Sequence, residues 1–229
     1  MGKTRMMLFS LSVVSTLALA EAQMPTDFID VAKVIPNAVF DLRYATDNNF
    51  VGQPVDGYRN AACILKKDAA KALKKVYQAA AEQGLNLYFF DCYRPQRAVD
   101  HFVRWVNDAT DTRTKKDYYP NLAKDKLLGG YIAAKSGHSR GYTVDMTIAE
   151  KNAQGQWQPI DMGGSFDFFD PISNTDDPRV TPVQRENRYR LKALMEAQDF
   201  IPYDMEWWHF SYSADGKQKN KVYYDFPVK

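Results

Sequence analysis

The stretch Ser136-Gly-His138-Ser-Arg-Gly141-Tyr-Thr-Val-Asp145 combines metal-ligand chemistry with a turn-and-strand pattern, and Glu206-Trp-Trp-His209 complements it downstream. Two of the three histidines in the chain fall in these two segments. Gly141 predicts a turn, and the alternation over residues 142–148 predicts a strand that carries Asp145. Neutral imidazole and carboxylate are the ligands that a catalytic zinc takes, with one position left for water. We therefore expect a zinc hydrolase site.

In this interpretation His138, Asp145 and His209 bind the metal, and Glu206 is the general base. Residues three apart in a regular strand face opposite sides, so Glu206 must lie at or before the edge of the strand that carries His209. A lone histidine or an isolated E-x-x-H pattern is more often structural. It is the combination of the two segments that favours a metal site, and the remaining His101 is interpreted as structural.

The composition limits the other functions that the chain can have. Its 229 residues fit one domain or at most two small ones, and 45% hydrophobic residues suffice for a core. The net charge is only +2, and no basic block of the kind that binds nucleic acid or acidic membranes is present. The densest cationic cluster, residues 113–116, is flanked by Asp111 and Asp117 and is interpreted as a solvated surface.

The N-terminus has the pattern of a secretory signal peptide. Lys3 and Arg5 precede an apolar run that ends at Ala20, followed by A-x-A cleavage patterns. We expect residues 1–22 to be a leader, cleaved after Ala20 or Ala22, and residues 23–229 to be the mature domain. The run is too short for a membrane span, so we expect a periplasmic or secreted protein without stable membrane insertion. The alternative is a buried N-terminal helix.

Export changes the interpretation of the two cysteines. In an oxidising compartment Cys63 and Cys92 can form a disulfide, and two free buried cysteines are the alternative. Cys92 is not expected to be a nucleophile, because no histidine is placed by the sequence to activate it.

Helical and strand patterns occur without strict βαβ alternation. Helices are predicted from Asp68, from Pro95, and from Pro182 or Val183 to Gln198, and closing strands over Trp207–Tyr212 and Lys221–Phe226. We therefore expect an α+β fold, a single domain with a central antiparallel sheet flanked by helices.

The motif S-x-H-x-x-G-x-x-x-D followed by E-x-x-H resembles the zinc D-alanyl-D-alanine dipeptidases of vancomycin resistance. These belong to the zinc DD-peptidases, whose fold is shared with hedgehog domains. The resemblance covers roughly residues 25 to 229. Its further landmarks are Asp41-Leu-Arg-Tyr44, Pro54-Val-Asp-Gly-Tyr58, Asp91-Cys-Tyr-Arg94-Pro95, Tyr118-Tyr-Pro120, Phe166-Asp167-Phe168 and Tyr224-Asp-Phe-Pro-Val-Lys229.

The resemblance implies one zinc held by the ligands named above, with Glu206 as base and Arg94 stabilising the transition state. A guanidinium beside a polarised carbonyl is physically suited to an oxyanion. It also implies that Tyr44 and Asp167 hold the free amino end of a small D,D-dipeptide and that Ser136 lies near its carboxylate. The expected reaction is hydrolysis of D-alanyl-D-alanine to two D-alanines.

Two alternatives remain open at this point: a DD- or LD-carboxypeptidase acting on peptidoglycan stems, and a non-catalytic zinc-binding module. The leader is a departure from the resistance enzymes, which act in the cytoplasm. It favours a role in cell-wall dipeptide turnover over resistance. The sequence indicates no oligomeric state.

Overall fold

The computed structural model describes residues 21–214 and 221–229. The expected leader, residues 1–22, lies outside the described residues except for its last two positions, so it stays a prediction. Within the described ranges, no helix has both the length and the apolar character needed to cross a membrane.

The described chain contains short strands, four α-helices and several 3-10 turns. The strands are β1 (Phe28–Asp30), β2 (Val39–Phe40), β3 (Ile64–Lys66), β4 (Asn86–Asp91), β5 (Thr143–Lys151), β6 (Trp157–Pro159), β7 (Phe200–Tyr203) and β8 (Glu206–Tyr212). The helices are α1 (Lys67–Ala81), α2 (Gln96–Asn107), α3 (Lys115–Tyr118) and α4 (Pro182–Glu196).

The main sheet of the described residues has the order β2-β4-β5-β8-β7, with β6 also paired to β5. All its pairings are antiparallel except that of β2, which runs parallel to β4. The predicted α+β fold with a central antiparallel sheet is confirmed, and the edge strand β2 adds one parallel pairing. The chain between β2 and β4 contains β3 and α1, and a connection of that length permits a parallel return.

Three central strands bring the site together. Asp91 at the end of β4 is the register partner of Asp145 on β5, and Asp145 is the register partner of His209 on β8. Neighbouring strands lie roughly 4.8 Å apart, so these three residues form one row across the sheet. Strand β5 is buried from Thr143 to Ala149, because it lies in the middle of the sheet with other elements on both faces.

Helix α4 anchors a long loop that passes beside the sheet. Thr181 and Gln184 form a reciprocal capping box at its start, and Pro182 occupies the first turn. The buried Arg188 of α4 donates hydrogen bonds of 2.6 to 2.9 Å to the carbonyls of Met162, Ile172 and Asn174. These bonds fix both ends of the segment that carries Asp167.

Two local predictions are wrong. Helix α1 begins at Lys67 with Lys66 as its N-cap, so Asp68 lies in the first turn and its carboxylate accepts from the amide of Ala69. Residues 221–226 form no strand, although this segment is fixed by a hydrogen bond of 2.8 Å from the amide of Tyr224 to the carbonyl of Ser139.

Candidate active site

The three expected metal ligands converge in the structure. Nε2 of His138 lies 3.2 Å from Oδ2 of Asp145 and 3.4 Å from Nδ1 of His209. Nδ1 of His209 lies 3.0 Å from Oδ1 of Asp145. Within the part of the chain that the structure describes, these three side chains form a cluster that could hold a metal ion.

Their geometry fits a tetrahedral ion. Bonds of about 2.0–2.1 Å in a tetrahedron place ligand atoms about 3.3 Å apart. The two imidazole nitrogens are 3.4 Å apart, and each lies 3.0 to 3.2 Å from one oxygen of Asp145. Oδ1 of Asp145 is buried and makes no well-aligned hydrogen bond, although Nδ1 of His209 lies 3.0 Å away, as expected of an oxygen that shares a cation with that imidazole. Nδ1 of His138 donates to the carbonyl of Cys92 at 2.7 Å, so Nε2 presents its lone pair to the site.

The backbone around His138 explains how a loop and a strand supply two ligands. Ser136 caps the 3-10 turn Gly137–Arg140, and its hydroxyl accepts from the amide of His138 at 3.3 Å. Gly141 ends the turn with φ 79°, a left-handed conformation that favours glycine. A Cβ at this position would lie 2.3 Å from the ring of Phe28, so the close approach also requires glycine.

Glu206 meets the requirement set by its spacing from His209. It is the first residue of β8, and the pairing with β7 shifts register between Phe210 and Glu206. This irregularity lets two residues three apart reach the same side, and Oε2 of Glu206 lies 3.4 Å from Nδ1 of His209. Burial, together with the charge of Asp145, raises the pKa of Glu206 to about 8 in the metal-free protein.

Arg94 is a buried cation between two carboxylates. Its Nε and Nη2 lie 3.0 and 2.9 Å from Oδ2 of Asp91, and Nη2 lies 3.4 Å from Oδ2 of Asp145. Its guanidinium also lies over the rings of Tyr44 and Phe102. Burial alone would lower the pKa of Arg94, but the surrounding acidic groups raise it well above its usual value, so the side chain stays charged.

Asp145 itself is kept ionised by its neighbours. Burial would raise the pKa of its carboxyl, but the adjacent His138 and His209 hold this pKa below its usual range. An ionised carboxylate between two imidazoles is the state that a divalent metal requires of its ligands.

Tyr44 and Asp167 form a buried pair from distant parts of the chain. The Tyr44 hydroxyl donates to both oxygens of Asp167, at 2.9 and 3.1 Å. Burial raises the pKa of Asp167 well above its usual value, and the charge of Asp145 adds to this. Asp167 has φ 62°, an uncommon conformation for a residue other than glycine that places its carboxylate inward.

All eight residues assigned from the sequence to metal, catalysis or substrate line one cavity of about 240 Å³. Its remaining wall includes apolar side chains, among them Phe50, Val99 and Ile132. Cys63 and Cys92 form a disulfide with Cα atoms 5.1 Å apart, just outside this cavity. The disulfide therefore lies next to the carbonyl that contacts His138.

One buried pair beside the site escaped the interpretation of the sequence. Asp91 accepts from Arg94 on Oδ2 and from the Tyr58 hydroxyl on Oδ1, at 2.6 Å. Asp91 and Tyr58 both lie within the landmarks of the family resemblance, but no role was predicted for them. An acidic residue at the end of an otherwise apolar strand was the available signal, since Asp91 follows Leu87–Phe90 directly.

Comparisons with known proteins agree with this geometry. Residues 24–229 match the model of the M15 peptidase family described as D-ala-D-ala dipeptidase. A D-alanyl-D-alanine dipeptidase of Streptomyces coelicolor is 39% identical over 206 residues, covering 90% of this chain and 100% of its own length. That of Enterococcus faecium is 37% identical over 207 residues, with the same two coverages of 90% and 100%.

Solved structures show a more distant likeness. The LdcB LD-carboxypeptidase has 16% sequence identity and a TM-score of 0.41, over 83% of this chain and 69% of its own. The sequence matches are the stronger finding, because they extend over nearly the whole described chain and include both metal-ligand segments. This chain is a member of the D-ala-D-ala dipeptidase family of M15 peptidases.

Proposed function

We propose that this chain is a zinc-dependent dipeptidase that hydrolyses D-alanyl-D-alanine to two D-alanines. Family membership and the dipeptidase relatives support the reaction. The observation that carries the choice of substrate is the buried Asp167 carboxylate, which lines the same small cavity as the three metal ligands. That cavity, of about 240 Å³, lies below the roughly 300–1,000 Å³ typical of pockets for drug-sized ligands.

The assigned residues divide the chemistry among them. His138, Asp145 and His209 would hold the zinc, which when bound supplies an acidified water and a Lewis acid. Glu206 takes the proton of the attacking water and delivers it to the leaving amine. Arg94 donates hydrogen bonds to the oxyanion that develops on the scissile carbonyl. The mixed nitrogen and oxygen ligands make zinc the preferred assignment.

The substrate-binding groups discriminate by charge. The free ammonium of a dipeptide can pair with Asp167 while Tyr44 holds that carboxylate in place, and Ser136 lies at the carboxylate end. An N-acylated stem peptide has no ammonium, so it would leave Asp167 buried without a counter-charge and would have to fit added bulk. Such a complex would hold Asp167 either as an unpaired buried charge or as a neutral acid, and it gains no ion pair in either state. The carboxypeptidase alternative is therefore disfavoured.

A paired assay tests this assignment. The metal-loaded protein should cleave D-alanyl-D-alanine faster than N-acyl-tripeptides that end in the same dipeptide, and a chelator should abolish cleavage. Faster turnover of the acylated substrate would establish the carboxypeptidase alternative instead. The Asp167→Asn variant should lose the preference for the free dipeptide.

The Glu206→Ala variant separates an enzyme from a zinc-binding module. It should keep its metal, measured by elemental analysis, and lose turnover by about 100- to 10,000-fold, the usual contribution of general acid–base catalysis. Activity equal to that of the wild type would remove Glu206 from the mechanism.

We further propose that the mature protein begins after Ala20 or Ala22 and acts in the periplasm or outside the cell, on dipeptide released during wall turnover. The Lys3–Ala22 pattern and the Cys63–Cys92 disulfide support export. Fractionation followed by N-terminal sequencing tests both points. Recovery of the full-length chain from the cytoplasm would contradict them.

A further inference from the structure

Arg94 faces two carboxylates, and only one of them is expected to bind the metal. We propose that Asp91 is a positioning residue: it holds the guanidinium of Arg94 in the cavity and limits its contact with the metal ligand Asp145, with Tyr58 fixing Asp91 in turn. The inference rests on the roles proposed above for Arg94 and Asp145. Nothing in the family assignment gives Asp91 or Tyr58 a function.

The distances show which carboxylate holds the guanidinium. Oδ2 of Asp91 accepts from Nε of Arg94 at 3.0 Å and lies 2.9 Å from Nη2. Oδ2 of Asp145 lies 3.4 Å from the same Nη2, a longer contact. Asp91 therefore engages two nitrogens of the arginine and Asp145 engages one.

The other oxygen of Asp91 is also occupied. Oδ1 accepts the hydroxyl of Tyr58 at 2.6 Å, and both side chains are buried, with relative exposures of 1% for Asp91 and 8% for Tyr58. Donors therefore occupy both oxygens of Asp91. A buried carboxylate fixed on both sides has one orientation, so it fixes the direction of the guanidinium that it holds.

The consequence for Asp145 follows from charge. Oδ2 of Asp145 is 3.2 Å from Nε2 of His138, and Oδ1 is 3.0 Å from Nδ1 of His209, so both oxygens of this carboxylate lie beside the other two expected metal ligands. If Asp91 were replaced by a neutral residue, Asp145 would be the remaining carboxylate in contact with Arg94, and the guanidinium would compete with the metal for this carboxylate. Oδ2 of Asp91 also lies 3.5 Å from Nδ1 of His138, so Asp91 is close to a second expected metal ligand.

The first arm of the test is kinetic. Asp91→Asn should lower kcat by about 10- to 100-fold with little change in KM, since full loss of an oxyanion donor costs about 100- to 1,000-fold. In the Arg94→Ala background the same substitution should change kcat by less than about threefold, because Asp91 acts through Arg94. Tyr58→Phe should show a smaller loss in the same direction. Additive losses from Asp91→Asn and Arg94→Ala would overturn the proposal.

The second arm measures zinc affinity by competition with a chromophoric chelator. Asp91→Asn should weaken zinc binding by about 10- to 100-fold, the usual effect of changing a group behind the ligands. The loss should be several-fold smaller when Arg94 is already alanine, because no guanidinium is left to occupy Asp145. Equal losses in the two backgrounds would show that Asp91 acts on the metal without Arg94, and would refute the proposed competition.

A matched control excludes a merely structural effect. Asp177 is also a buried aspartate paired with an arginine, 2.8 Å from Arg179, but it does not line the cavity. Asp177→Asn should lower the melting temperature and leave kcat and zinc affinity unchanged. If the wild-type protein failed to cleave D-alanyl-D-alanine, the proposed function would fall, while the chelator arm would still decide whether Asp91 limits the contact of Arg94 with Asp145.

Discussion

The backbone carbonyl of Cys92 accepts a hydrogen bond of 2.7 Å from Nδ1 of the expected metal ligand His138. Since the carbonyl can only accept, the proton on Nδ1 is fixed and Nε2 is free for the metal. The same Cys92 is joined to Cys63, which immediately precedes β3, and the amide of Tyr93 donates to the carbonyl of Ile64 at 2.8 Å. The disulfide thus connects the segment that supports a metal ligand to a second sheet, which consists of the antiparallel strands β1 and β3.

Replacing both cysteines tests this connection. The Cys63→Ala/Cys92→Ala variant opens a loop with a sequence separation of 29 residues, which in the chain-entropy account costs about 3–4 kcal/mol of the free energy of unfolding. Urea denaturation of the metal-free protein measures the loss. Zinc affinity should fall by less than about tenfold, because the carbonyl of residue 92 remains and only its anchorage is lost. An unchanged free energy of unfolding would contradict the bond.

The metal ligands could be proposed from the sequence because their chemistry is local. The spacing of His138, Gly141 and Asp145 encodes a turn followed by a strand, and the structure places a 3-10 turn, a left-handed glycine and β5 in that order. The condition on Glu206 was also local, since a residue three before His209 had to lie at the strand edge. It begins β8.

The residues that support the metal ligands could not be predicted from the sequence in the same way, because their positions depend on the register between strands. Nothing in the sequence aligns Asp91 with Asp145 and Asp145 with His209 across three strands. The parallel pairing of β2 with β4 and the irregular path of residues 221–226 have the same origin. In both cases tertiary hydrogen bonds decide the backbone, and local propensity does not report them.

Replacing Arg94 should separate charge from geometry. Arg94→Lys keeps a cation but loses the planar fork that contacts Asp91 through two nitrogens. We expect kcat to fall by about 100- to 1,000-fold in Arg94→Ala and by a comparable factor in Arg94→Lys, with KM nearly constant. Steady-state kinetics on D-alanyl-D-alanine provides the measurement. A lysine variant close to wild-type turnover would show that charge alone is sufficient.

Asp167 should make dipeptide binding depend on pH. Burial raises the pKa of its carboxyl well above the usual value, and only the ionised form pairs with the substrate ammonium. As pH falls through this raised pKa, the carboxyl becomes neutral and affinity is lost, so the dissociation constant should rise at pH values well above those where an exposed aspartate titrates. Calorimetry with the Glu206→Ala variant measures binding without turnover. In Glu206→Ala/Asp167→Asn this pH dependence should disappear, and its persistence would assign it to another group.

Gly141 should be required for the site as well as for the fold, and Gly155 offers a matched control. Both have left-handed backbones, with φ 79° and 77°, so alanine at either position costs about 1–2 kcal/mol of the free energy of unfolding. Only at Gly141 would the added Cβ meet the Phe28 ring, at 2.3 Å, whereas at Gly155 nothing lies within 4 Å. Gly141→Ala should therefore lower the free energy of unfolding by about 1–3 kcal/mol more than Gly155→Ala does, which is the usual cost of overpacking.

Gly141→Ala should also weaken zinc binding, because the turn between His138 and Asp145 must shift. Chelator competition on both variants gives the answer: equal zinc affinities would show that the ligands tolerate movement of this turn.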